Sequence, residues 1–166
     1  MAYVSDLVDG VPVKMTILDG GPLESLVRAP IGRDDATGTQ YSVVVSLIRL
    51  DPFFGEEVNM ELTFDVVAHD GLGPTYIGDG SATTFIVGNE RFKVLCLVCE
   101  AAMLLLQRRN PISVTYSTLQ PNLPTKALHK YRVLGKAVRD CGYVGGDADE
   151  FDGHRIWMFT KPSNVT

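Results

Sequence analysis

A chain of 166 residues with 45% apolar and 21% charged side chains can build one domain with a core of its own, which excludes wholesale disorder. No apolar run reaches the roughly 18 residues of a membrane-spanning helix, and Met1 to Asp6 has no basic stretch before an apolar one, so no secretory leader is expected. Three cysteines, an odd number, argue against a disulfide framework and for a reducing, cytoplasmic setting.

The first half of the chain reads as β structure. Val11 to Leu18 alternates, with Val11, Val13, Met15 and Ile17 on one face of a half-buried strand, and Asp19-Gly20-Gly21-Pro22 ends it. Leu23, Leu26 and Val27 suit a single helical turn, stopped by Pro30 and Gly32. Residues 30–40, with Asp34-Asp35 and Gly38, are expected to form an exposed loop. Tyr41 to Leu50 is a nearly continuous β-branched run, as in a central strand. Asp51 to Gly55 reads as a turn. Val58 to Ala68 alternates again, with Met60, Leu62, Phe64 and Val66 facing one way. Asp70 to Pro74 turns the chain into a short arm at Thr75 to Ile77, and Thr83 to Val87 reads as a last strand.

The second half changes period. From Asn89 to Arg109 apolar residues occupy every face, predicting a central buried helix with Asn89 as N-cap and Asn110-Pro111 as its stop. Ile112 to Thr118 is a strand. Leu123-Pro124 opens a second helix that runs to Cys141 and stops at Gly142, with Leu128, Tyr131, Leu134 and Val138 as its apolar stripe. Asp152-Gly153 signals a hairpin before the strand Arg155 to Thr160. The expected architecture is one α+β domain over residues 1–166. Residues 1–88 are mainly β and residues 89–166 form helix, strand, helix and hairpin. A curved, mostly antiparallel sheet packs against helices 89–109 and 124–141.

Charge is unevenly spread. Residues 1–87 carry four basic side chains against thirteen acidic, a net of −9, while residues 88–166 carry eleven against seven, a net of +4. Seven Lys or Arg and no acid lie between Arg108 and Arg139. Lys126, Lys130, Arg132, Lys136 and Arg139 are therefore candidates for docking an anionic partner, or a solvated helix face. An acidic protein surface suits them better than nucleic acid, because the chain as a whole carries −5 and no aromatics interleave with the charges.

Four local features bear on chemistry. Cys96-Leu97-Val98-Cys99 has redox or zinc spacing but sits inside an apolar helix with no second pair, so packing is its expected role. Asp147, Asp149 and Asp152 miss the calcium-loop pattern by one residue and lack a closing Glu, which leaves an exposed hairpin loop and no expected metal site. His69, His129 and His154 stand apart from any nucleophile. The junction Phe85 to Lys93 is the most suggestive feature. A strand feeding a helix N-terminus offers unpaired N–H groups to an anion, Gly88 admits close backbone approach, and Arg91 and Lys93 add charge.

From Thr83 onward the order strand, long helix, strand, helix, strand, strand after an antiparallel meander resembles the C-terminal part of GNAT-type N-acyltransferases. The resemblance implies that Val87, Gly88, Asn89, Arg91 and Lys93 hold the pyrophosphate of an acyl-CoA. Ala127 to Gly135 is similar to that family's Ala…Tyr…Gly stretch, which implies a general-acid role for Tyr131 beside its place in the apolar stripe. The glycine-rich pyrophosphate signature is absent after Val87, and Lys136 stands where an aromatic residue follows the glycine in the family. Phe92-Lys93-Val94, Pro111 to Ser117 and Lys126 to Tyr131 also resemble small uncharacterised proteins of tailed bacteriophages. That likeness implies a product of an infected bacterial cytoplasm or of a virion.

Three functions follow as expectations. The first is a non-catalytic accessory protein, an inhibitor or adaptor, that needs no cofactor and binds a protein partner. The second is an acyl-CoA-dependent N-acyltransferase. The third is a minor virion component.

Overall fold

The computed structural model describes residues 3–50, 58–77 and 82–162. Among these residues nine strands make one sheet: β1 (Tyr3–Ser5), β2 (Thr16–Asp19), β3 (Glu24–Asp34), β4 (Gln40–Arg49), β5 (Asn59–His69), β6 (Pro74–Tyr76), β7 (Ser113–Ser117), β8 (Val144–Phe151) and β9 (His154–Thr160). The helices are a single turn, α1 (Ala82–Phe85), the long α2 (Asn89–Arg109), and α3 (His129–Asp140), which a 3-10 turn at Thr125–Leu128 precedes. The sheet runs β1-β3-β4-β5-β7-β9-β8, with β2 also on β3 and β6 also on β5. Every pairing is antiparallel except β5 with β7. The expected α+β class, a large mostly antiparallel open sheet with two main helices, is what the chain forms.

Alternation decides which face meets the helices. Val27, Ala29 and Ile31 of β3, Val43, Val45 and Leu47 of β4, and Met60 and Leu62 of β5 are all buried in one cluster. The cluster continues through Val114 and Tyr116 of β7 and Trp157 and Phe159 of β9. Leu97, Val98, Ala101, Ala102, Leu105 and Leu106 of α2 cover the β3–β5 side, and Tyr131, Leu134 and Val138 of α3 cover the β7–β9 side. Removing so many aliphatic side chains from water supplies most of the drive to fold, at about 25 cal/mol per Å² of apolar surface.

Several sequence expectations change. The helical turn expected at Leu23 to Val27 is instead the start of β3, because a lone turn has no packing partner while this segment pairs with β4 from Glu24 onward. Pro30 and Gly32 do not stop it. They flank a bulge that leaves Ile31 fully buried, and the missing N–H of Pro30 is tolerated at the irregularity. The loop expected over 30–40 shrinks to the β3–β4 turn. There Asp34 N–H donates to Thr39 O at 2.8 Å, and the buried Asp34 carboxylate accepts from Ala36 N–H at 2.9 Å. Of the strand expected from Val11, only Thr16–Asp19 is regular, although Val13, Met15 and Ile17 still pack on the core. β1 was not anticipated. Thr83 to Val87 is not a strand: α1 forms there, with Ile86 N–H donating to Ala82 O at 3.0 Å. The open edge of β5 is already taken by β7 at one end and β6 at the other. The acidic segment read as a loop is β8, paired along β9. The turn read at Asp51 to Gly55 lies outside the described residues.

Helix α2 is buried along one stripe rather than all round. Cys96, Cys99, Met103 and Leu104 are half-buried, and Phe92 is 65% exposed. Its N-cap is Gly88, not Asn89, with φ +57° and no capping side chain. Asn110 closes it in the left-handed conformation, its N–H donating to Leu106 O at 2.8 Å. Arg108 pairs with Asp19, and Arg109 donates to Pro22 O at 2.6 Å, so the helix end holds the β2–β3 turn. No helix among the described residues is long and apolar enough to cross a membrane.

Candidate functional site: a notch between β5 and β7

The single parallel pairing among the described residues is short: Asn59–Glu61 pair with Ser113–Thr115, and no pairing among the described residues follows beyond them. β6 takes up the same edge of β5 only at Val67. Val58 O accepts from Ile112 N–H at 3.1 Å and Val66 O from Ile77 N–H at 2.8 Å, both on this edge. Phe64 has the same parity, so its main-chain N–H and C=O also aim there, where no strand stands among the described residues.

The splay opens a cavity of about 680 Å³. Phe64, Asp65 and Val66 form one wall, Ser117 and Leu119 the opposite one, and Gly88, Arg91, Phe92 and Leu95 of the α2 start a third. Lys126, His129, Lys130 and Tyr131 close it from the α3 side.

Tyr131 is set by packing. Its ring lies on Trp157 with centroids 5.1 Å apart and planes 8° from parallel, and its carbonyl accepts from the Tyr116 hydroxyl at 2.8 Å. Its own hydroxyl accepts from Leu119 N–H at 3.4 Å. Burial raises the Tyr131 pKa above the ordinary 10.0, opposed by the Leu119 hydrogen bond, so the phenol is protonated at neutral pH. Lys130 Nζ lies over the Tyr131 ring at 5.0 Å and the Phe64 ring at 5.6 Å. Lys130 as a whole residue is exposed, yet packing around its ammonium lowers its pKa, with Asp65 opposing. Asp65 mirrors it: burial raises its pKa and Lys130 opposes.

The junction residues expected together are divided. Gly88 and Arg91 line the cavity, and Arg91 Nε donates to Ile86 O at 2.6 Å. Val87 and Asn89 are exposed outside its lining. Lys93 is turned to the N-terminal segment, pairing with Asp9 and Glu90 at 3.1 Å each and donating to Leu7 O at 3.3 Å. The junction itself joins a helical turn to a helix, not a strand to a helix.

The basic residues divide as well. Lys126 and Lys130 line the cavity. Arg132, Lys136 and Arg139 lie on the solvent side of α3, where Lys136 pairs with Asp140 at 2.6 Å and Arg139 donates to Gly145 O at 3.1 Å. Phe64 and Asp65 were not singled out by the sequence. Their alternation placed Phe64 on the core face, but nothing local marks the point where two strands about fifty residues apart part company.

Among the other motifs, burial pushes the Cys99 thiol up to about 11, and no group of three metal-ligating side chains gathers among the described residues. His129 lines the cavity, and His154 Nδ1 is bonded to Thr118 O at 2.7 Å. No family model, no curated protein and no solved structure matches this chain.

Proposed function

We propose that this chain is an N-acyltransferase that seats an acyl thioester of the CoA type in the notch between β5 and β7 and passes its acyl group to an amine. One observation carries the reading: the only parallel pair among the described strands parts after three residues, beside a protonated tyrosine and an apolar cavity. An extended amide chain has a main-chain partner at Phe64, as an added strand would. Tyr131, which lines the cavity, would give its proton to a departing thiolate, the acid role that the GNAT-type resemblance implies for it. Gly88, the N-cap of α2, allows close main-chain approach of a phosphate end, and Arg91 beside it adds positive charge. β6 and α1 stand between β5 and α2, so the phosphate end would be held differently from the direct strand-to-helix junction of that family.

The binding-protein reading, a phage-type accessory factor, draws on the solvent face of Arg132, Lys136 and Arg139. Two of those three already have partners within the chain, so the notch carries more. The deciding experiment is thermal unfolding with CoA and acetyl-CoA, from micromolar to millimolar. A ligand that binds the folded state raises Tm by mass action. Arg91→Glu should abolish the rise, and thiol release with an amine acceptor should accompany it in the unaltered chain. No rise at millimolar acetyl-CoA overturns the reading.

A further inference from the structure

Lys130 has no task in the transfer just described, yet its amine stands beside the proposed acid. Its Nζ stands over the ring of Tyr131, whose hydroxyl is the proposed acid, and over Phe64, whose main chain faces the notch. It lines the same cavity. Asp65 lines the same cavity and its charge acts on Lys130 through space, while burial shifts both groups toward their neutral forms. A lysine becomes a nucleophile when its environment favours the free amine, and an apolar wall does that.

We infer, resting on the acyltransferase reading, that Lys130 Nζ is itself acylated by the thioester seated in the notch. The amine nitrogen forms a bond to the thioester carbonyl carbon, the carbon–sulfur bond breaks, and the thiolate leaves as a thiol. The proton shed by nitrogen passes to water, and the proton gained by sulfur comes from Tyr131, which water then replenishes. No oxidant, reductant or further reactant is needed. The product is an amide, which does not hand its acyl group on. Acylation of Lys130 is therefore an end state: it removes a cation from the cavity wall and fills part of the cavity, so the notch is closed by its own substrate.

The test incubates the whole chain with acetyl-CoA and follows each lysine by peptide mass spectrometry, with CoA-induced Tm shifts measured alongside. Lys14 and Lys136, both exposed and outside the cavity, serve as internal controls, and Lys126 as a control within it. The expected result is one acetyl group, on Lys130, acquired several-fold faster than on any control. It should be absent in Lys130→Arg and slowed in Tyr131→Phe. The acetylated chain should then respond less to CoA. A clear CoA shift with Lys130 modified no faster than Lys14 or Lys136 overturns this inference and leaves the acyltransferase reading standing. The absence of any CoA shift overturns both.

Discussion

The Tyr116 hydroxyl reaches the carbonyl of Tyr131 across Gly135, the position on α3 that carries no side chain. The hydrogen bond is 2.8 Å, and a Cβ built on Gly135 would stand 2.8 Å from that same hydroxyl and 3.3 Å from the Phe159 ring. The glycine is thus required by the aromatic stack beneath the notch rather than by a turn. Tyr116, Trp157 and Phe159 pack against one another with centroids 5.2 and 5.7 Å from Tyr116, so no neighbour can step aside.

Gly135→Ala should therefore destabilise the chain by about 1–2 kcal/mol, because overpacking outweighs the roughly 1 kcal/mol that alanine gains in a helix. Urea unfolding measures it. The same substitution in a Tyr116→Phe background should cost less, since the hydroxyl it meets is gone. Equal costs in both backgrounds would refute the contact.

Tyr131→Phe separates chemistry from packing. The lost hydrogen bond is a long one, 3.4 Å to Leu119 N–H, so stability should fall by less than about 1 kcal/mol. Acyl transfer should fall on the order of 100-fold, as expected for removal of a general acid. A variant with full transferase activity removes Tyr131 from the acid role.

Gly32→Ala should release β1. A Cβ there would lie 2.4 Å from the Val4 carbonyl and 2.7 Å from the Tyr3 ring. Hydrogen exchange should show faster exchange at Asp6 N–H, which bonds to Ile31 O at 3.0 Å, with the β4–β5 amides unaffected. Unchanged exchange at Asp6 would mean that β3 shifts instead.

His69 predicts a pH dependence. Its Nε2 is buried without a hydrogen-bond partner, and burial together with Arg28 pulls its pKa below the ordinary 6.5, with Asp70 opposing. The unfolded chain therefore takes up the proton first as pH falls. The contribution to stability is whole above 6.5 and is lost as pH falls towards the folded-state pKa. Tm should decline from about pH 7.5 to about pH 5.5 less steeply in His69→Leu than in the unaltered chain. Parallel profiles would sink the assignment.

Cys99 should resist alkylation. With its pKa at about 11 rather than the ordinary 9.0, its thiolate population at pH 8 is roughly 100-fold below that of an unperturbed thiol. Iodoacetamide labelling of the folded chain should leave Cys99 unmodified long after an unfolded control is labelled. Rapid labelling at pH 8 would place that face of α2 in solvent.

Local pattern alone determined a good part of this protein. The β-branched run of β4, the alternation of β5, the helical period of α2 and the Asp152-Gly153 turn express short-range preferences and stand where the sequence puts them, while the helix expected from Pro124 begins as a 3-10 turn and becomes α-helical only at His129. Tyr131 too was readable, as a tyrosine in the apolar stripe of a helix. Tertiary structure decided the rest. Glu24 to Val27 is strand and Thr84 to Phe85 is helix because of which edges of β4 and β5 were open to pairing, and edges are assigned only when the whole sheet assembles. The five basic residues divide between cavity and solvent because the 3-10 turn and the docking of α3 on Tyr116 set its rotation. The notch is the furthest from sequence. It exists because two parallel strands joined through a long crossover part after Glu61 and Thr115, and no local pattern in either strand marks the point where a partner distant in sequence diverges.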